Sequence, residues 1–324
     1  MDGIINVYKE KGFTSHDVVA KLRGILRMKK IGHTGTLDPA AEGVLPVCLG
    51  KGTRLCDMLT GKTKTYRAVL LLGQETDTQD TTGVVQAEYP VHVTEEEVRK
   101  AIVSFLGDYM QIPPMYSALK VNGKKLYELE RQARPVQILD IQIESIDLPR
   151  ATFFVTCSKG TYIRTLCYDI GRKLGCGGCM ESLLRTRVDR FELKDSLTLS
   201  QIEKLRDEGR LEEAVVPAEG VFLRLPALVT KPGDGDKLLH NGNPFPAELA
   251  EAEDCDLSVE FGAGSDCAAE PAGRSETECG LAASVADRFD GVRVYDSEHH
   301  FIGIYRYSEE KRRYQPQKIF LGGN

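Results

Sequence analysis

The chain alternates short apolar runs with glycine-rich and polar turns, and the period of each run predicts its element. Ile4, Ile5 and Val7 read as a first strand. After a polar turn, Thr14 or Ser15 caps a helix that carries Val18, Val19, Leu22, Ile25 and Leu26 on one face. "GVLPVCLG", ending at Gly50, is a buried-strand pattern. "TKTYRAVLLLG" predicts a long strand, and the "QETDTQDTTG" that follows a polar turn closed by glycine. Thr94 caps the next helix, Glu97 completes its capping box, and Gly107 is its expected stop. Asn122-Gly123 signals a hairpin. "VQILDIQIESIDL" alternates with period two, and "RATFFVTCSKGTYIRTLCYDIGRKLG" reads strand, turn, helix. These patterns predict an α+β body with a mixed, mostly antiparallel sheet.

A chain of 324 residues exceeds one ordinary core, so two domains are expected, 1–224 and 225–324, with the joint near Leu225-Pro226. Beyond it, "LLHNGNPF" and "GVRVYDSEHHFIGIYRYS" read as short strands with turns, a small β-rich domain. Between them, about 247–287, lies an acidic stretch rich in Ala, Gly and Ser that reads as a flexible insertion.

The formal net charge of −6 disfavours a nucleic-acid partner only until it is mapped. Residues 247–290 hold twelve acids and two bases, so the remainder is net basic. Residues 1–70 alone carry twelve Lys and Arg against six Asp and Glu. A basic working surface beside an acidic segment fits that map, as do ordinary solvated faces. No apolar run approaches a membrane span and no secretory pattern opens the chain, which leads us to expect a cytoplasmic protein. Nine irregularly spaced cysteines agree with a reducing compartment. "CGGC", Cys176 to Cys179, has the spacing of half a zinc site or a redox pair, without a second pair to complete a metal shell.

Three stretches carry candidate chemistry. "GHTGTLDPAAEG" places a single carboxylate, Asp38, in a loop with glycines and Pro39. It lacks the Gly-Lys-Ser/Thr ending of a phosphate loop, and an ordinary turn explains its composition equally well. "KTYRA" sets Tyr66 among Lys62, Lys64 and Arg67, a pattern open both to phosphate contacts and to a strand edge with solvated lysines. "SKGTYIRT", read as a strand, puts Tyr162 and Arg164 on one face, able to stack a base and pair with a carboxylate or phosphate.

Together "GHTGTLDPAAEGVLPVCLGKGTR", "KTYRA", "SKGTYIRT" and "LLRT" resemble the bacterial tRNA pseudouridine synthase B (TruB) family, and the likeness runs from "KEKGFTSHDVV" to "FIGIYRY". The resemblance implies a pseudouridine synthase catalytic domain followed by a small PUA-like RNA-binding domain. It implies conversion of uridine 55 in the T loop of tRNA to pseudouridine, with no cofactor and no metal. The expected partner is the tRNA T arm, with no membrane and no required protein partner, the chain acting as a monomer. Carried over by position, Asp38 is the catalytic aspartate, Tyr66 the active-site tyrosine and Arg164 the arginine that pairs with the aspartate. His33, Tyr162, Leu183 and Asp80 are the implied substrate-binding set, and Lys64 joins it as a phosphate contact read from "KTYRA". The chain departs from the family in "KEKG", where Glu10 takes a usual proline position, in Leu184-Arg185, where two arginines are common, and in the acidic stretch.

The lone carboxylate suits this chemistry. Pseudouridine formation breaks the N1–C1′ bond, turns the uracil and joins C5 to C1′. It needs one group to attack C1′ or deprotonate C2′, and a carboxylate serves for either. Two carboxylates arranged as in glycoside hydrolysis would bring in water. We therefore expect Asp38 in a water-poor pocket, kept ionised by Arg164, with Pro39 restricting its backbone and Gly32 and Gly35 letting the loop approach RNA.

Overall fold

The computed structural model describes residues 1–114, 120–121, 124–125, 132–253 and 291–320. The chain divides into two compact units, Met1–Val215 and Val216–Asn324. The division falls before the joint expected near Leu225. Ala218–Phe222 form a short 3-10 helix, and the Phe222 ring packs against Phe301 and Phe320 of the second unit.

The first unit is built on one mixed sheet. β1 (Gly3–Lys9) pairs antiparallel with β3 (Glu42–Leu49), and β2 (Ile31–His33) also pairs with β3. α1 (Ser15–Leu26) is capped by Thr14 in a reciprocal box with Asp17, and it buries Val18, Val19 and Leu22. A 3-10 turn and α2 (Cys56–Thr60) lead into β4 (Lys64–Leu72), whose residues alternate buried and half-buried as period two requires. β5 (Gln74–Thr76) and β6 (Val85–Glu88) form a side hairpin. α3 (Glu95–Val103) has the expected Thr94–Glu97 box, but it stops at Ser104. Gly107, expected to end the helix, instead opens β7 (Gly107–Gln111) with φ of +99°. β8 (Lys120–Val121) pairs with β9 (Lys124–Lys125), while Asn122 and Gly123 lie outside the described residues.

β10 (Arg134–Asp147) and β11 (Arg150–Cys157) form a long antiparallel pair. α4 (Ile163–Leu174) follows, then β12 (Gly178–Val188) and β13 (Phe191–Glu192). The sheet runs β1-β3-β12-β4-β11-β10-β7, with β3 and β12 parallel and the other neighbours antiparallel. At that parallel step Gly43 sits opposite Arg185 with φ of +107°, and a Cβ there would lie 2.2 Å from the Arg185 carbonyl oxygen. Only glycine permits the approach. α1 and α5 (Leu199–Asp207) enclose one apolar cluster around Ile5, Leu22, Leu45 and Ile202. α3 and α4 close a second around Phe153, Leu166, Ile170 and Tyr66.

The short strand β14 (Val215–Val216) spans the division between units. The second unit holds a six-stranded sheet of β15 (Ala227–Thr230), β16 (Phe245–Pro246), β17 (Ala250–Glu253), β18 (Val292–Tyr295), β19 (Phe301–Ser308) and β20 (Arg313–Ile319). Its core stacks Phe245 against Tyr314 and tilts Tyr305 onto Phe245. "LLHNGNPF", expected as a short strand with a turn, is the end of α6 (Asp234–His240), a turn, and Phe245 opening β16; Leu238–His240 are helical because Leu239 enters the core at helical spacing. The acidic stretch expected from 247 starts inside this sheet: Ala247 is buried, and β17 pairs with β15. Residues 254–287 of that expectation lie outside the described residues. No helix among the described residues is long and apolar enough to cross a membrane.

Candidate active site

Asp38 sits in the loop between β2 and β3, and its backbone is held from three sides. The Leu37 N–H donates to the Ser15 hydroxyl at 2.9 Å. The Gly12 N–H donates to the Pro39 carbonyl at 2.8 Å. The Lys9 ammonium, wholly buried, donates to the carbonyls of Ala41 at 2.5 Å and Pro39 at 3.3 Å. Burial lowers the Lys9 ammonium to about 8, partly opposed by Glu42. Sequence reasoning treated Ser15 only as a possible cap and passed over Lys9. A lysine ending the apolar run "IINVYK" was the available signal.

Arg164 lies in the first turn of α4, with Tyr162 at the N-cap, so the strand reading of this stretch gives way to a helix. Its Nε is 3.0 Å from Asp38 Oδ2, and its Nη1 is 3.5 Å from Asp80 Oδ2. Nη1 also donates to the Thr78 carbonyl at 3.0 Å. The arginine and Asp80 side chains are nearly enclosed, 7% and 9% exposed, while the Asp38 side chain is 43% exposed. The expected water-poor setting of Asp38 is therefore corrected: the guanidinium is buried, and the carboxylate faces solvent in the chain alone.

Tyr66 is buried in β4, in the same apolar cluster as Leu37, Ala41 and Leu183. Arg185, its partner in the β4–β12 register, is 1% exposed and hydrogen-bonds the Tyr66 side chain. Arg185 Nε donates to the Val44 carbonyl at 2.7 Å, tying β12 to the strand that follows the loop. Burial pushes the Tyr66 phenol above its ordinary range, with Arg185 pulling back and the Asp38 charge pushing further. The phenol therefore stays protonated at neutral pH. Arg185 was noted in the sequence only as a departure from a pair of arginines. A cation inside the apolar run "SLLRTRV" was the overlooked signal.

The remaining expected residues divide. His33 ends β2 and meets His16 edge to face at 5.5 Å. Burial, then His16, keeps its imidazole below the ordinary value, and its Nδ1 accepts the Gly35 N–H at 3.4 Å. Tyr162 takes its contacts from Gln111 and from Arg134, whose guanidinium lies 5.1 Å from the ring centroid. Lys64 is buried and turned inward: its ammonium donates to the carbonyls of Lys62 at 2.6 Å and Thr60 at 2.9 Å. Burial lowers it to about 8. Gly32 serves packing: a Cβ there would meet Cys56 Sγ at 3.1 Å. Cys176 and Cys179 are thiols. Among the described residues no group of three His, Cys, Asp or Glu side chains is arranged to hold a metal ion.

Comparison with known proteins places this geometry in context. Residues 23–163 match the N-terminal domain of the TruB family of pseudouridylate synthases, and residues 164–222 match the tRNA pseudouridylate synthase B C-terminal domain. The chain is 47% identical to tRNA pseudouridine synthase B of Lachnoclostridium phytofermentans, over 99% of this chain and 100% of the relative. It is 41% identical to tRNA pseudouridine synthase B of Geobacter sulfurreducens, over 92% of this chain and 97% of the relative. Among solved structures it resembles a chain of a Cbf5-Nop10-Gar1 complex with a TM-score of 0.68 and 25% identity, covering 98% of this chain and 85% of that one.

Proposed function

Because this chain belongs to the TruB family of pseudouridylate synthases, we propose that it forms pseudouridine in tRNA, and that its target is uridine 55 of the T loop. The observation that carries the reading is the Asp38–Arg164–Asp80 array beside Tyr66. One carboxylate faces outward, and the charges beneath it are balanced and buried.

In this reading the target nucleotide leaves the stack of its loop and enters the cleft. Unstacking costs a few kcal/mol, and stacking on an aromatic ring returns about 1–3 kcal/mol. Tyr66 is the ring beneath the base, and His33 fills the space the base leaves. Asp38 attacks C1′ or takes the C2′ proton, the N1–C1′ bond breaks, and the uracil turns. C5 then bonds to C1′, releasing Asp38 from C1′ or with C2′ regaining its proton from Asp38, while the C5 proton leaves to solvent and N1 takes one up. No electron or water is consumed. Arg164 keeps Asp38 ionised and directed. The bound RNA supplies the solvent exclusion that the open carboxylate lacks in the chain alone. The second unit acts as a PUA-like module for tRNA outside the T loop, and the basic residues of the first third hold phosphates, so binding weakens as salt rises.

The test uses unmodified tRNA carrying tritium at C5 of uridine. The wild type should release label to water in proportion to product, and tRNA with uridine 55 replaced should release none. Asp38→Asn should bind tRNA and release nothing. Release that persists in Asp38→Asn would refute the assignment of the carboxylate, and release without uridine 55 would refute the target.

A further inference from the structure

Gln111, the last residue of β7, is wholly buried. Its carboxamide engages both backbone groups of one residue. Oε1 accepts the Tyr162 N–H at 2.8 Å, and Nε2 donates to the Tyr162 carbonyl at 3.0 Å. The two contacts fix the amide orientation, because reversing it would set donor against donor and acceptor against acceptor. Tyr162 is the N-cap of α4, and its own side chain makes no capping bond. Its carbonyl also accepts the first helical bond, from the Leu166 N–H at 3.1 Å. Gln111 therefore holds the start of α4 from a different element of the fold.

The same strand holds that helix lower down. The Tyr109 hydroxyl donates to the Asp169 carboxylate, in the middle of α4. Arg134, opposite Gln111 in the β7–β10 register, covers the Tyr162 ring and donates to the Gly160 carbonyl at 3.4 Å. Arg164 stands two residues past Tyr162, and its Nε meets Asp38 at 3.0 Å.

We propose that Gln111 is a positioning residue for the isomerisation: by clamping the Tyr162 backbone it sets the first turn of α4, and so the reach of the Arg164 guanidinium to Asp38 and the placement of the Tyr162 ring. The inference rests on the function proposed above. Gln111 acts through the backbone and does not touch RNA. A shift of about 1 Å at a reacting group is enough to cost roughly a hundredfold in rate.

The experiment measures single-turnover tritium release from C5-labelled unmodified tRNA at saturating enzyme, and tRNA affinity by filter binding, on the full chain. Gln111→Met keeps side-chain length and loses both hydrogen bonds. It should lower the rate at least about tenfold, leave affinity within threefold of wild type and unfold cooperatively. Gln111→Glu supplies a second arm. Ionised, it sets a carboxylate oxygen against the Tyr162 carbonyl. Protonated, it restores an acceptor and a donor. The groups facing it are the Tyr109 hydroxyl, Asp169 beyond that hydroxyl, and Arg134 across the ladder. Its rate, relative to wild type, should recover as pH falls. On an Arg164→Lys background Gln111→Met should cost little more, because both changes disturb one ion pair. A wild-type rate in Gln111→Met, a Gln111→Glu rate that keeps a constant ratio to wild type across pH, or full additivity with Arg164→Lys would overturn the proposal while leaving the function standing. A wild type that releases no label would overturn the functional reading and this inference with it.

Discussion

Two loops present an aspartate to the same guanidinium, and they hold it in opposite ways. The 34–41 loop is fixed through its backbone, by Ser15, Gly12 and Lys9, and leaves the Asp38 carboxylate facing solvent. The 76–83 loop is fixed through the carboxylate itself. Asp80 Oδ1 accepts from the Thr78 hydroxyl at 2.8 Å, the Thr82 N–H at 3.0 Å and the Thr82 hydroxyl at 2.5 Å. The Thr76 hydroxyl donates to the Asp80 carbonyl, and Gln79, at φ of +64°, accepts from the Thr165 hydroxyl next to Arg164. In the proposed reaction the group that reacts keeps its oxygens available and has its direction set by the chain. A group that balances a buried charge saturates its oxygens. The two carboxylates are chemically identical, and their surroundings divide the work.

The sharpest way to break this comparison is to neutralise each acid in turn. Asp38→Asn should reduce tritium release by roughly a thousandfold or more, the scale of removing a nucleophile or general base. Its unfolding free energy should shift by less than about 1 kcal/mol, because its side chain is 43% exposed and its carboxylate reaches solvent. Asp80→Ala should show the reverse emphasis. Urea unfolding should report a loss of about 3 kcal/mol, since a nearly enclosed arginine loses a partner and two threonines lose their acceptor. Its activity should fall less far than that of Asp38→Asn. Equal stability losses in the two variants would erase the distinction.

A different effect tests the burial of two lysines near the site. Lys9 and Lys64 both fall from an ordinary value of 10.5 to about 8, chiefly through burial. Between those values the unfolded chain binds more protons than the folded one, so the lysines' contribution to stability rises with pH across that window and is flat below it. The urea midpoint of wild type, relative to Lys9→Met/Lys64→Met, should climb from pH 8 towards 10.5, and a flat or falling difference would contradict the burial argument. The smallest effect is the control. Arg67 and Glu144 pair at 2.8 Å on the same sheet but are 38% and 40% exposed, so Glu144→Gln should change stability by no more than about 1 kcal/mol.

Much of this site was legible before any coordinates, for identifiable reasons. Asp38, Tyr66 and Arg164 stand in motifs whose resemblance to a known family could be read residue by residue, Asp80 was carried over by its position alone, and the structure brings Asp38 and Asp80 onto Arg164. The elements that carry them were legible where the period was long, as in β4 and β10, or where a cap was explicit, as at Thr14 and Thr94. The misreadings cluster where one short segment fits two periods. Tyr162 and Arg164 share a face as a strand, yet Ile163, Arg164 and Thr165 are all buried in the first turn of α4, and Leu239 of "LLHNGNPF" is buried at the end of α6.

What the sequence by itself determined was therefore local: periodicity, caps, turns, and the residue types able to do the chemistry. Burial of charge was decided by the tertiary structure alone. Lys64 read as a phosphate contact or a solvated lysine, Lys9 and Arg185 carried no reading of burial, and Asp38 read as the enclosed group. Enclosure depends on which strands become neighbours, and the parallel step between β3 and β12 that walls in Arg185 joins segments more than a hundred residues apart. No local pattern encodes that adjacency, because it results from packing the whole sheet.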